Sequence, residues 1–226
     1  MEDVTMTRDE ALERLRAMHH PATWKVHDRA GANGTQIGVK AGDVRKLART
    51  IRIDHGLALE LWATGLVEAR MLAILVMDVR KLSAAEIDGL VRSSGFGWVA
   101  DWLMSRVVKP HPESAALREG WIDDPDPWAA RAGWSLTAER VEKAAHGLDL
   151  DALLCRIAEE MAEAAEPVRW TMNTTLAAIG IHHPAHRARA IEIGERLGVY
   201  RDYPTPKGCT SPFVPLWIGE MVRRAG

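Results

Sequence analysis

Hydrophobic positions along this chain recur at three- and four-residue spacing, and no stretch alternates residue by residue as a half-buried strand would. This periodicity predicts helices near 7–18, 41–53, 56–64, 66–80, 83–94, 97–109, 112–121, 127–141, 149–163, 167–180, 184–197 and 212–224. Thr7 with Glu10, and Ser83 with Glu86, fit the capping box, in which two side chains satisfy the first free N–H groups of a helix. Pro112, Pro127, Pro167 and Pro184 each open a helical pattern, where a missing N–H costs nothing. The segment "HDRAGANGTQIG" (27–38) reads as a glycine-rich loop, and "YRDYPTPKGCTSP" (200–212) as a proline-broken connection to the last helix.

From residue 55 onward the helices come in pairs, with starts roughly thirty residues apart, the kind of period that builds HEAT-like repeats. The pattern predicts an all-α chain, a HEAT-like repeat α-solenoid forming a short curved superhelix of antiparallel helix pairs. The second helices of successive pairs would line one concave wall. A single domain is expected, with N-terminal helices over 1–54, repeats over about 55–198 and a capping segment over 199–226. A globular helical bundle is the alternative that the pattern leaves open.

Composition narrows the function classes. Of the 226 residues, 47% are hydrophobic and 27% charged, enough for a packed core and too apolar for a disordered chain. The start "MEDVTMTRDE" carries no apolar leader, and the longest apolar run, "MLAILVM" (71–77), is far too short to span a bilayer. Two cysteines, Cys155 and Cys209, make neither a disulfide framework nor a zinc spacing. A soluble, cytoplasmic chain with no membrane contact is therefore expected. The net charge of −2 speaks mildly against a nucleic-acid partner, although a local basic stripe can act on an acidic body. Nine Trp against two Phe and two Tyr point the other way, because indoles combine a wide π-face with one N–H donor.

The stretch "FGWVADWLMSR" (96–106) holds the candidate chemistry. At 100° per residue Val99, Ala100, Leu103 and Val107 form the core stripe, joined by Phe96 if the helix begins early. Trp98, Asp101, Trp102, Ser105 and Lys109 gather on the opposite side. An indole face attracts cations, and a carboxylate in a partly dry site stabilises developing positive charge, so this face suits a flat, apolar, cationic ligand. The bland alternative is that Trp98 or Trp102 wedges between repeats. In the next second-helix, "DPWAARAGWSLTAERV" (126–141), Arg131 stands at the depth of Asp101, between Trp128 and Trp134; in "EPVRWTMNTTLAAIG" (166–180), Arg169 and Trp170 do the same. Arg131 is a bidentate phosphate donor on this reading, and half of a structural salt bridge on the other.

These segments, in this order, resemble the AlkD-like family of bacterial DNA alkylation repair enzymes, which are HEAT-like repeat DNA glycosylases. "GVKAGDVRKLART" (38–50) resembles the family's "G-[IV]-x-x-x-x-x-R-x-L" helix, and "ELWATGLVEARMLAILVMD" (60–78) its "ELW…E-R…A" segment. "WVAD" (98–101) resembles the Trp-rich run that ends in the catalytic Asp, and "WIDDPDPWAARAGW" (121–134) the "WI…D…W-x-x-R" segment. "GVYRDYPTPKGCTSPFVPLWI" (198–218) looks like the tail of an uncharacterised branch. The resemblance implies excision of N3- or N7-alkylated purines from double-stranded DNA without a deep base pocket and without a cofactor. It places catalysis on Asp101 with Trp98, and phosphate binding on Arg131. Trp102, Trp128, Trp134, Arg169, Trp170 and Lys109 are then expected along the DNA, with Lys40, Arg45 and Lys46 either touching its backbone or forming a solvated face. Two positions depart from the family pattern: Gly97 stands four residues before Asp101 where the family has Trp, and Thr174 stands where it has a further site Trp. Trp98 and Trp170 are the indoles nearest to those gaps.

A non-catalytic DNA-binding scaffold and a protein-binding HEAT scaffold remain as alternatives. His182 and His186 have i, i+4 spacing but no evident third ligand, so no metal is expected. Nothing in the sequence signals a dimer, and a monomer, nucleoid-associated when acting, is the expectation.

Overall fold

The computed structural model describes residues 6–225, and among them there are thirteen α-helices and no strand. The first, α1 (Arg8–Ala17), starts at a complete capping box: Thr7 N–H donates to Glu10 Oε2 at 2.8 Å and Glu10 N–H to Thr7 Oγ1 at 3.3 Å. Ser83 and Glu86 do the same for α6 (Ala84–Arg92). The expected loop at 27–38 is in part helical. A helix α2 (Pro21–His27), with Pro21 at its first position, runs on through a π turn (Asp28–Ala32). The chain leaves helical geometry at Gly31 and Asn33, both at positive φ.

By its internal contacts the chain divides into two compact units, 1–112 and 113–226, where sequence periodicity alone implies one domain. In the first, α3 (Ala41–Ile51), α4 (His55–Ala63), α5 (Val67–Val76), α6 and α7 (Gly97–Leu103) follow α2. Helix α4 packs on α5, while the later helices of the pairs stack on one another, α3 on α5 and α5 on α7. The core between them holds Leu15, Leu61, Leu72, Ile87 and Leu103, all with no exposed surface. Truncating one of these to alanine costs about 2–5 kcal/mol.

The second unit repeats the scheme. Helix α8 (Ser114–Trp121) packs on α9 (Pro127–Lys143), α10 (Leu150–Glu160) on α11 (Glu166–His182), and α9 lies against α11. Helices α12 (Arg187–Leu197) and α13 (Val214–Ala225) pack against each other and against α11. The close approach of α8 and α9 depends on Gly133: a Cβ there would lie 2.6 Å from the Ile122 nitrogen and 2.7 Å from its Cα. The 200–212 connection is anchored at its far end, where Asn173 Nδ2 donates to the Pro212 carbonyl at 2.9 Å and Arg201 stands 4.4 Å over the Phe213 ring. No helix among the described residues is long and apolar enough to cross a membrane.

Candidate nucleic-acid interface

Helix α7 turns its sides as its periodicity requires. Val99, Ala100 and Leu103 are buried, while Asp101 is exposed on the opposite side. Trp98 is 42% exposed and Trp102 half-buried, so neither indole is consumed by the core. One turn of helix thus presents a carboxylate with an indole on each side. Arg45, from α3, lies 4.6 Å from the centre of the Trp102 ring in a cation–π arrangement. Lys40 and Lys46 are exposed, the latter paired with Asp43 at 2.9 Å, and Lys109 is half-buried.

Trp98 is held in place by residues that sequence reasoning did not single out. Its indole meets the His27 imidazole edge-on, and the Phe96 ring lies 5.8 Å away. His27 Nδ1 in turn stands 3.1 Å from Oε1 of Glu68, a carboxylate with no exposed surface. Glu68 also accepts the backbone N–H groups of Ile37 at 2.7 Å, Gly38 at 2.7 Å and Val39 at 2.9 Å. Three consecutive N–H groups converge only because Gly38 sits at φ +93°, with Trp24 packed so closely that a Cβ would come within 2.7 Å of the Trp24 Cβ. Burial alone would raise the Glu68 carboxyl; the His27 imidazole and these amides outweigh it and hold it below its ordinary 4.5. A signal for this clamp was present in the second Glu of "ELWATGLVEAR", Glu68, which falls among apolar neighbours on α5.

In the second unit the structure redistributes the expected roles. Trp134 is 1% exposed within a core of Leu154, Ile157, Met172 and Leu176, so its assignment to a DNA-facing surface is corrected. Arg156 caps it from 5.2 Å. The physical reason is that α9 packs against both α8 and α11, which leaves little of its circumference for solvent. Arg131, on the same helix, is 4% exposed and donates from Nη1 to the Pro167 carbonyl at 3.1 Å. An outward bidentate phosphate grip is therefore not its arrangement here. Arg169 donates from Nε and Nη2 to the Ala164 carbonyl at 3.2 and 2.8 Å, closing the turn after α10. Trp128 is half-buried at the start of α9.

Trp170 has acquired tyrosine neighbours from the tail. Its ring centre lies 5.2 Å from that of Tyr200 and 5.8 Å from that of Tyr203, and the two tyrosines meet edge-on at 5.7 Å. Thr174, at the family's indole position, donates its hydroxyl back to the Trp170 carbonyl at 2.9 Å. Burial pushes the Tyr200 phenol far above its ordinary range. Aromatic surface at this place thus comes from three rings, two of them on the connection that the sequence marks only as proline-broken.

Among the described residues no group of three or more His, Cys, Asp or Glu could hold a metal ion. His186 stands 3.7 Å from Asp151, and both cysteines are exposed thiols.

A family model described as DNA alkylation repair enzyme matches residues 11–205. The chain belongs to that family. A solved structure described as "A new family of proteins related to the HEAT-like repeat DNA glycosylases with affinity for branched DNA structures" is similar over 97% of this chain and 95% of its own. The TM-score is 0.78 at 20% sequence identity, a likeness of fold, and it makes the helix pairs of this DNA alkylation repair family member HEAT-like repeats. No match was found among curated proteins.

Proposed function

We propose that this member of the family is a DNA glycosylase that releases N3- or N7-alkylated purines from double-stranded DNA, acting as a monomer in the cytoplasm. The observation that carries the reading is the exposed carboxylate of Asp101, with Trp98 about one turn before it and Trp102 directly after it, and Arg45 stacked on Trp102. An alkylated purine already carries positive charge and leaves readily. The bond between C1′ of deoxyribose and the purine nitrogen breaks with its electron pair going to the base, and the sugar acquires oxocarbenium character. Asp101, ionised, stabilises that cation and orients the water whose oxygen bonds to C1′ and whose proton passes to the carboxylate or solvent. Trp98 and Trp102 pack against sugar and backbone, and Arg45 neutralises a phosphate. An open surface suits a lesion that is not drawn into a deep pocket.

Duplex DNA carrying 7-methylguanine tests the proposal. Wild type is expected to release the base, and Asp101→Asn to do so about 100-fold more slowly at unchanged DNA affinity, as when one preorganised electrostatic group is removed. Equal rates for the two would remove Asp101 from the chemistry.

A second reading, DNA binding without base release, is favoured by Gly97 and Thr174 replacing two indoles of the family pattern, and by the similar structure's description as having affinity for branched DNA. Salt-dependent binding of duplex or branched DNA with no base liberated from any alkylated substrate distinguishes it.

A further inference from the structure

Several arginines of this chain are tied to a carboxylate: Arg80, Arg92, Arg156, Arg189 and Arg223 each reach one at 3.0 Å or less. Four others gather in one place. Arg45 and Arg49 on α3, Arg52 at its C-cap and Arg106 in the π turn after α7 converge on one open pocket of about 320 Å³ in the first unit. No acidic residue lines it, and among the described residues none of the four has a carboxylate within ion-pair distance. Like charges gathered in one cleft concentrate anions there, so the pocket favours a negatively charged ligand. The remaining wall is apolar, with Leu75 and an Ile53 that is 62% exposed.

The backbone adds an independent sign. Arg52 has φ +65° and ψ −146°, a region almost reserved for glycine. This backbone turn at the end of α3 places the Arg52 side chain on the pocket wall. Arg45 belongs both to this pocket and to the cation–π pair with Trp102, so the pocket adjoins the Asp101 surface.

We propose that this pocket is a subsite for an unpaired nucleotide of a DNA strand, with the guanidinium groups on its phosphodiester and Ile53 and Leu75 against its sugar and base. The inference rests on the DNA-binding reading and deepens it. A phosphate alone leaves the apolar wall unused, and a base stacked inside intact duplex cannot reach that wall together with its own phosphate. The volume lies at the lower end of small-ligand sites, about 300–1,000 Å³, which suits one nucleotide.

The test measures anisotropy of the full chain on intact duplex and on the same duplex with a single-stranded flap or gap, alongside thermal shift with a deoxynucleoside monophosphate. Arg52→Gly is expected to melt higher than wild type while losing about tenfold in affinity for flapped or gapped DNA, with intact duplex changed much less. Arg49→Gln combined with Arg106→Gln should lose the same preference without the gain in melting temperature. Equal losses on both DNAs would make these ordinary backbone contacts and overturn the subsite, as would no loss on either. If wild type binds neither DNA, the DNA-binding reading fails; a monophosphate shift that Arg52→Gly abolishes would then mark a free-nucleotide site and overturn the strand assignment.

Discussion

The imidazole of His27 meets the indole of Trp98 edge-on, with ring centres 4.9 Å apart and planes at 85°. The contact joins the end of α2 to the first turn of α7, so one flank of Asp101 is positioned by a segment far away in sequence. Behind His27 stands Glu68, and behind Glu68 the three amides of residues 37–39. Trp98 is therefore the exposed end of a buried polar clamp.

If that clamp orients Trp98 for catalysis, His27→Ala should slow single-turnover base release about tenfold, equivalent to ~1.4 kcal/mol, with DNA affinity little changed. His27→Phe keeps the ring and drops the Glu68 partner, and is expected to restore much of the rate. Rates that follow melting temperature rather than the presence of a ring would show His27 to be structural only.

Glu68→Gln removes a fully buried charge from three amide donors and the adjoining His27 ring, and should cost on the order of 3 kcal/mol at pH 7. The folded carboxyl lies below its ordinary 4.5, so its stabilisation is complete above that value and is lost as pH falls through the folded value. Melting curves of wild type and Glu68→Gln should accordingly differ most near neutrality and converge toward strongly acidic pH. A gap that stays constant down to pH 3 would contradict the clamp.

Trp134 and Trp102 should separate cleanly. Trp134→Ala leaves a cavity in the second core and is expected to cost about 3–5 kcal/mol in urea unfolding. Trp102→Ala, at a half-buried position beneath Arg45, should leave stability nearly intact and weaken DNA binding, read by anisotropy at fixed salt.

Gly133→Ala drives a methyl group into the backbone at Ile122 and should destabilise by about 1–3 kcal/mol, despite alanine's better helix propensity. Circular dichroism melts of this variant beside Gly89→Ala, where the space is open, give the control.

The helices, their capping boxes and the outward position of Asp101 were legible in the chain itself, because they depend on neighbours within one or two turns. The i, i+3, i+4 offsets that bury Val99 and Leu103 also expose Asp101. Helix α2 escaped because its start is capped by His20, whose Nδ1 accepts the Thr23 N–H at 3.4 Å, in place of a strong capping residue.

Other features were decided by tertiary packing. Trp134 and Arg131 have the spacing of site residues and are buried, since α9 is covered from two sides. Trp170 finds Tyr200 and Tyr203 only when the tail returns to α11. His27 and Glu68, or Arg52 and Arg106, belong to separate helical patterns, and nothing in either pattern marks the other as a partner. Periodicity is a property of one helix and tells which residues face inward; which side chains meet there depends on how helices cross, and only the folded chain settles that.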